Sequence, residues 1–250
     1  MKPFSLTISL TTAIALTFVA IAAPTPAQDA PGTRQRGGAS YIKFEPTALP
    51  NVDAPGGRQR GGASRTGNCP SVPQPLTALV PSSNNSVLGL TTAAQPTLWF
   101  YVPYVLNVEH PAEFVLLDDR NRYIYQTTLA DAQTEETGIV GIALPETIAL
   151  EPNRLYRWAF TVNCGADSSV FTVGGIQRVT PDSALSAQIE QATGFNKANL
   201  YAQNGIWFDA LTTLAELKQE NPSDATIAAA WESLLQSVAL EDVANQPFVP

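Results

Sequence analysis

Cysteine, histidine and methionine are nearly absent: two, one and one among 250 residues. With Cys69 and Cys164 as the only thiols and His110 as the only imidazole, the sequence shows no Cys/His set at the spacing of an ordinary zinc site. No G-x-S-x-G elbow, H-x-x-x-H pair or Gly-rich phosphate loop occurs. Charged residues are sparse at 14%. After residue 23 no stretch is apolar enough to span a bilayer. The sequence therefore predicts no catalytic residue, no metal and no cofactor, and a protein that is not integral to the membrane.

The one long apolar run, Leu6 to Ala23, follows Lys2 and leads into Thr25-Pro26-Ala27. That is the plan of a secretory signal peptide over residues 1–27, cleaved near Ala27. A retained anchor is the alternative, but the run is marginal in length and diluted by Thr and Ser. No Cys precedes residue 69, so there is no lipoprotein site. The expectation is an exported protein, periplasmic or extracellular. An oxidising compartment favours a disulfide between Cys69 and Cys164 over free thiols. In the loop-entropy account, closing so long a loop is worth about 4.7 kcal/mol.

The net charge of −8 is unevenly spread. Residues 28–68 carry +3, and residues 69–250 carry −12. An acidic body argues against nucleic acid, because phosphate neutralisation supplies most of that affinity. The basic stretch contains a duplication. Asp29-Ala30-Pro31-Gly32-Thr33-Arg34-Gln35-Arg36-Gly37-Gly38-Ala39-Ser40 recurs 24 residues later as Asp53-Ala54-Pro55-Gly56-Gly57-Arg58-Gln59-Arg60-Gly61-Gly62-Ala63-Ser64, identical at 11 of 12 positions. Such Arg/Gly/Pro-rich text has little to bury, so residues 28–68 are expected to be a disordered tether.

From about Leu76 the pattern turns to strands. Thr97–Leu106 is aromatic and β-branched, with Pro103 as a bulge or edge marker. Glu113–Leu117 and Arg122–Gln126 flank a polar turn, and Gly138–Leu144 is a further strand. Leu155–Val162 alternates, with Tyr156, Trp158, Phe160 and Val162 on one face. Val170–Val173 and Ile176–Val179 are predicted to form a hairpin about Gly174-Gly175. Leu150-Glu151-Pro152-Asn153-Arg154-Leu155-Tyr156 resembles the L-x-P-x-x-x-Y corner of immunoglobulin-like domains, with Tyr156 bonding back to upstream backbone. Residues 69–179 are thus expected to be an antiparallel immunoglobulin-like β-sandwich, part of an α+β chain.

Beyond Thr180-Pro181, which reads as a helix start, the period becomes helical. Leu200–Leu217 and Ala225–Leu240 are the strongest segments, parted by Asn221-Pro222, with Ser223 as a cap. Gly205, Trp207, Ala210, Leu214, Leu217 and Pro222 also resemble one helix of a tetratricopeptide repeat, too little for a solenoid. Residues 180–250 are expected to be a helical hairpin packed on the sandwich through Trp207 and Trp231.

Candidate chemistry is thin. His110 lies in Val108-Glu109-His110-Pro111 and reads as a solvent-facing turn residue. Asp118-Asp119 and Glu135-Glu136 are the carboxylate pairs; a glycosidase would need two acids converging across a cleft. Of the strand aromatics at least half must point inward, and core or sheet cover is the favoured reading; the candidate outward set is Phe100 with Tyr123 or Tyr125, able to stack a sugar or receive a peptide.

Leu79-Val80-Pro81, Gly89-Leu90-Thr91-Thr92-Ala93, Pro96, Trp99-Phe100-Tyr101-Val102-Pro103-Tyr104 and Gly205-Ile206-Trp207-Phe208-Asp209-Ala210-Leu211 together resemble an exported cyanobacterial family, Domain of Unknown Function 928. The resemblance covers about residues 58–250 and implies an exported bacterial protein without enzymatic activity. It carries no known active site, and the duplicated tether departs from it. The function expected is a binding or scaffolding protein of the cell envelope whose partner is another envelope protein. The alternative is a carbohydrate-binding module or glycan hydrolase acting on polysaccharide.

Overall fold

A computed structural model describes residues 41–47, 56–63, 69–130, 136–165 and 168–249. The export signal expected over 1–27 and the first repeat over 29–40 lie outside them. The chain divides into units 1–36 and 37–250, and every described residue belongs to the second.

Ten strands run in chain order: β1 Arg58–Ala63, β2 Thr77–Ala78, β3 Ser82–Ser83, β4 Ser86–Thr91, β5 Thr97–Val102, β6 Ala112–Leu117, β7 Tyr123–Leu129, β8 Gly138–Ala143, β9 Leu155–Asn163 and β10 Ser169–Arg178. They form one sheet in the order β7-β6-β9-β10-β1-β2-β5-β8, with β4 beside β10 and β3 beside β4. The β10–β4 pair is parallel, and the other pairs are antiparallel. The sheet curls, bringing Phe100 of β5 onto Phe160 of β9 with ring centroids 4.4 Å apart. Trp158 and Phe114 close the same aromatic cluster. The alternation read in β9 is the observed one: Tyr156, Trp158, Phe160 and Val162 are buried.

Four helices follow, α1 Ser183–Gln191, α2 Gly194–Gln203, α3 Trp207–Glu220 and α4 Ala225–Gln236, then a 3₁₀ turn at Glu241–Val243. The chain is therefore α+β, a curled antiparallel sheet with C-terminal helices. The two-helix hairpin expected over 180–250 is corrected to four helices. The segment expected to run unbroken from Leu200 to Leu217 breaks at Asn204-Gly205-Ile206. Gly205 has φ +72°, and a Cβ there would lie 2.8 Å from the Thr47 backbone nitrogen. The caps also fall later than expected, by two residues at α1 (Asp182 for Thr180) and by one at α4 (Asp224 for Ser223). Asp182 accepts from the Leu185 N–H at the start of α1, and Asp224 accepts from Thr226 and Ile227 N–H at the start of α4.

The hairpin expected at Gly174-Gly175 is absent. β10 runs straight through both glycines, paired along its length with β9. Glycine serves a close approach here: a Cβ on Gly174 would sit 2.7 Å from the Val87 carbonyl and would overlap the Trp158 ring.

A further correction concerns the tether. Of residues 28–68, the described parts lie in the fold. Ile42 and Phe44 are buried, and their N–H groups donate to Ser233 Oγ and Ser237 Oγ of the α4 region. Phe44 meets Trp207 edge-on at 5.0 Å. Arg58–Ala63 is β1, placed between β10 and β2. Its glycines make that possible, since a Cβ on Gly61 would come within 2.9 Å of Leu76 Cβ. A pattern without apolar residues is seated by its neighbours rather than by its own burial.

Cys69 and Cys164 are joined in a disulfide with Cα atoms 5.0 Å apart, across a sequence separation of 95. It staples the segment after β1 to the end of β9.

Candidate functional site

The two ends of the sheet are treated differently. At one end β8 is covered by residues 247–249: the Ile139 N–H donates to the Pro247 carbonyl at 2.7 Å, and the Val249 N–H donates to the Ile139 carbonyl at 3.0 Å. Phe248 then lies against Trp99 and Trp231. At the other end is β7, whose sequence Tyr-Ile-Tyr-Gln-Thr-Thr-Leu holds no charge and no proline. Among the described residues only β6 pairs with it. Unpaired edges of this kind are normally blunted by charge, proline or a cover. Nothing of the sort is written into β7.

Tyr123 opens this strand with 72% of its surface exposed. Tyr125 is half-buried and packs on Phe114. Phe100, grouped with these two on the outer face from sequence, is corrected to a core residue: it is fully buried in the aromatic cluster. β5 is covered on both faces, so alternation cannot mark an outer side there.

The turn leading into β7 is held by ion pairs. Asp118 is inaccessible and accepts from the Arg120 and Arg122 N–H groups, from Arg122 Nε at 2.8 Å and from Arg154 at 3.1 Å. Burial pushes its carboxyl up, but the hydrogen bonds from Arg122 and Arg120 outweigh that and hold it down at about 2. Asp119 pairs with Arg154 at 2.7 Å, which lowers its carboxyl as well. Arg154 also reaches Glu151 and lies over the Tyr156 ring. This carboxylate pair is committed to arginines and offers no free acid for hydrolysis. Glu135 of the other pair lies outside the described residues.

Tyr156 performs the corner contact named from its motif. Its ring is buried, and its hydroxyl oxygen accepts the Glu151 N–H at 3.0 Å. Trp158, Trp207 and Trp231 are all buried. Trp207 Nε1 donates to the Leu79 carbonyl and Trp231 Nε1 to the Ala244 carbonyl, each at 2.8 Å. His110 is half-buried rather than solvent-facing, beside Tyr104 and Cys164 at a cavity of about 270 Å³.

A second polar cluster lies where α3 meets the sheet. Asp209 accepts from the Thr91 hydroxyl at 2.6 Å, the Thr92 N–H at 3.1 Å and the Thr92 hydroxyl. Burial pushes its carboxyl above the ordinary value against those hydrogen bonds. Tyr201 and Lys197 share its cavity of about 220 Å³. A buried acid in a cavity is a usual pointer to chemistry. Here both oxygens are engaged in holding the helix to β4. Sequence reasoning missed Asp209; its one signal was an acid at the third position of an otherwise apolar helix start.

The same junction gathers separate stretches of sequence. Phe208 fills the space above Gly89, where a Cβ would come within 2.6 Å of its ring. Trp99 Nε1 donates to Thr212 Oγ1 at 3.0 Å. Leu79, Gly89-Thr92, Trp99 and Trp207-Asp209 thus form one joint between sheet and helices. Residues 60–248 match the family described as Domain of Unknown Function (DUF928). The chain belongs to that family. Leu79, Gly89-Thr92, Trp99 and Trp207-Asp209, which build this joint, all lie within the matched residues. The match begins inside β1 and ends in the segment that covers β8, leaving the first repeat outside. No curated protein matches the chain. Among the described residues no helix is long and apolar enough to cross a membrane, and no group of three or more His, Cys, Asp or Glu could hold a metal ion.

Proposed function

We propose that this member of the DUF928 family is an exported, non-enzymatic binding or scaffolding protein of the cell envelope, acting through the β7 edge. The observation that carries the reading is the contrast between the two sheet ends. β8 is capped by residues 247–249, while β7 presents an uncharged, proline-free edge beside the exposed Tyr123. Such an edge fits an extended strand of another envelope protein, which would add to the sheet by backbone hydrogen bonds. The Leu150–Tyr156 corner supports reading the curled sheet as an immunoglobulin-like sandwich, a scaffold suited to contacts of this kind. The disulfide is compatible with an oxidising compartment, periplasmic or extracellular.

The test places a photo-crosslinking residue at Gln126 of β7 and, as a control, at Glu190 of α1, and exposes both proteins to envelope extract. The expected result is one reproducible adduct through Gln126, with slowed amide exchange in β7 and no such adduct through Glu190. Equal labelling from both positions, or none from either, overturns the proposal.

A further inference from the structure

The strand that joins the two halves of the sheet is written twice in the chain. Residues 34–39 and 58–63 are both Arg-Gln-Arg-Gly-Gly-Ala. The second copy is β1, seated between β10 and β2; the first lies outside the described residues.

The seat is specific for this hexapeptide. Arg58 lies over the Phe171 ring at 5.2 Å, and Gln59 Nε2 donates to the Val80 carbonyl at 2.6 Å. Arg60 grips both Asp242 oxygens, at 2.7 and 2.9 Å, and also donates to the Ala239 carbonyl. Gly61 passes Leu76 too closely for any side chain. Arg34, Gln35, Arg36 and Gly37 would reproduce each of these contacts, being the same residues in the same order.

The single difference between the two twelve-residue repeats falls where it matters. Gly57 stands where the first copy has Thr33. A Cβ on Gly57 would lie 2.6 Å from Val87 Cβ and 2.8 Å from the Val87 nitrogen. Threonine adds that Cβ and two further heavy atoms, so the first copy enters the seat only if Val87 yields.

We propose that the seat between β10 and β2 is a strand-binding site that takes residues 34–39 of a second copy of this chain in place of its own 58–63, with Gly57 against Thr33 setting the balance. A second copy is favoured over the chain's own first repeat for a reason in the fold. Ala39 is followed three residues later by Ile42, which is locked on Ser233. A strand supplied by another molecule leaves the acceptor's Ile42 and Phe44 seated, and the three-residue step from the donor's Ala39 to its own locked Ile42 fixes how near the donor's body stands. Exchange of identical strands is a low-cost route to association. The contacts cancel between the two occupants, and two differences are left. The chain's own strand is tethered at an effective concentration in the millimolar range. Thr33 adds a steric penalty of roughly tenfold. Dilute protein therefore keeps its own strand, and exchange appears with crowding. The proposal stands apart from the β7 edge and does not depend on it.

The test uses chains from residue 28 onward with the native disulfide closed. Protein carrying Gly38→Cys is mixed with protein carrying Phe171→Cys, and the intermolecular cross-link is measured by mass spectrometry. Gly62 faces Phe171 in β1, so Gly62→Cys with Phe171→Cys in one chain is the positive control. The expected cross-link rises with protein concentration, increases roughly tenfold when Thr33→Gly is added to the donor, and is lost with Arg36→Asp. No mixed cross-link while the control closes overturns the proposal, as does a cross-link indifferent to Thr33→Gly. A cross-link formed only within a chain carrying both Gly38→Cys and Phe171→Cys, independent of concentration, also overturns it and assigns the seat to the chain's own first repeat.

Discussion

At Gly174 a hydrogen stands between the Val87 carbonyl and the Trp158 ring, and no other side chain fits. Gly174→Val is expected to lower unfolding free energy by about 1–3 kcal/mol, measured by urea titration. The buried acids make opposite predictions about pH. Asp118 has its carboxyl at about 2 in the folded chain, below its ordinary 3.8, so folding favours the charged form. Its contribution is complete above the ordinary value and is lost as pH falls toward about 2. Asp118→Asn should therefore flatten the fall of stability between about pH 5 and pH 2, read from denaturant midpoints. Asp209 is raised instead, so its folded form holds a proton longer, and its contribution shrinks as pH rises past the ordinary carboxylate range. Asp209→Ala should cost about 1–3 kcal/mol by leaving the Thr91 and Thr92 donors unpaired, checked by thermal unfolding.

Among elements, those with an internal pattern were legible in advance and those seated by distant partners were not. The two-residue alternation of β9 and the Asn221-Pro222 break between α3 and α4 are local signals, and both stand in the structure. β1 carries no alternation at all, and its place depends on Leu76, Val80 and Asp242. The Asn84-Asn85 turn, with φ of 49° and 63°, joins β3 to β4 through left-handed backbone that Asn tolerates. The Asn-Asn pair is itself a local turn signal in the sequence. The candidate edge was half legible: Tyr123 stands on the surface, but Phe100 does not, because burial on both sides of β5 erases the difference between its faces. The break between α2 and α3 gives an element-scale prediction. Gly205→Ala combines a positive φ with a close approach to Thr47, and should speed amide exchange in residues 41–47 and around the α2–α3 joint relative to the rest of the chain.

For the molecule as a whole, the disulfide is the longest-range covalent constraint. Replacing Cys69 and Cys164 together by Ala should lower stability by about 4.7 kcal/mol, since the unfolded chain regains the freedom of a loop of 95 residues. Equal urea midpoints for the two proteins would show that the bond adds nothing. The seat of β1 has a consequence in time as well as in space. A chain made from its amino end releases Arg58 long before Val173, the residue it must pair with. At translation speeds of about 5–20 residues per second, that interval lasts roughly 6 to 23 seconds. Residues 58–63 are already out when β10 arrives, so β1 takes its seat late, in a nearly finished molecule, and only then does a strand from a neighbouring copy have a complete site to compete for.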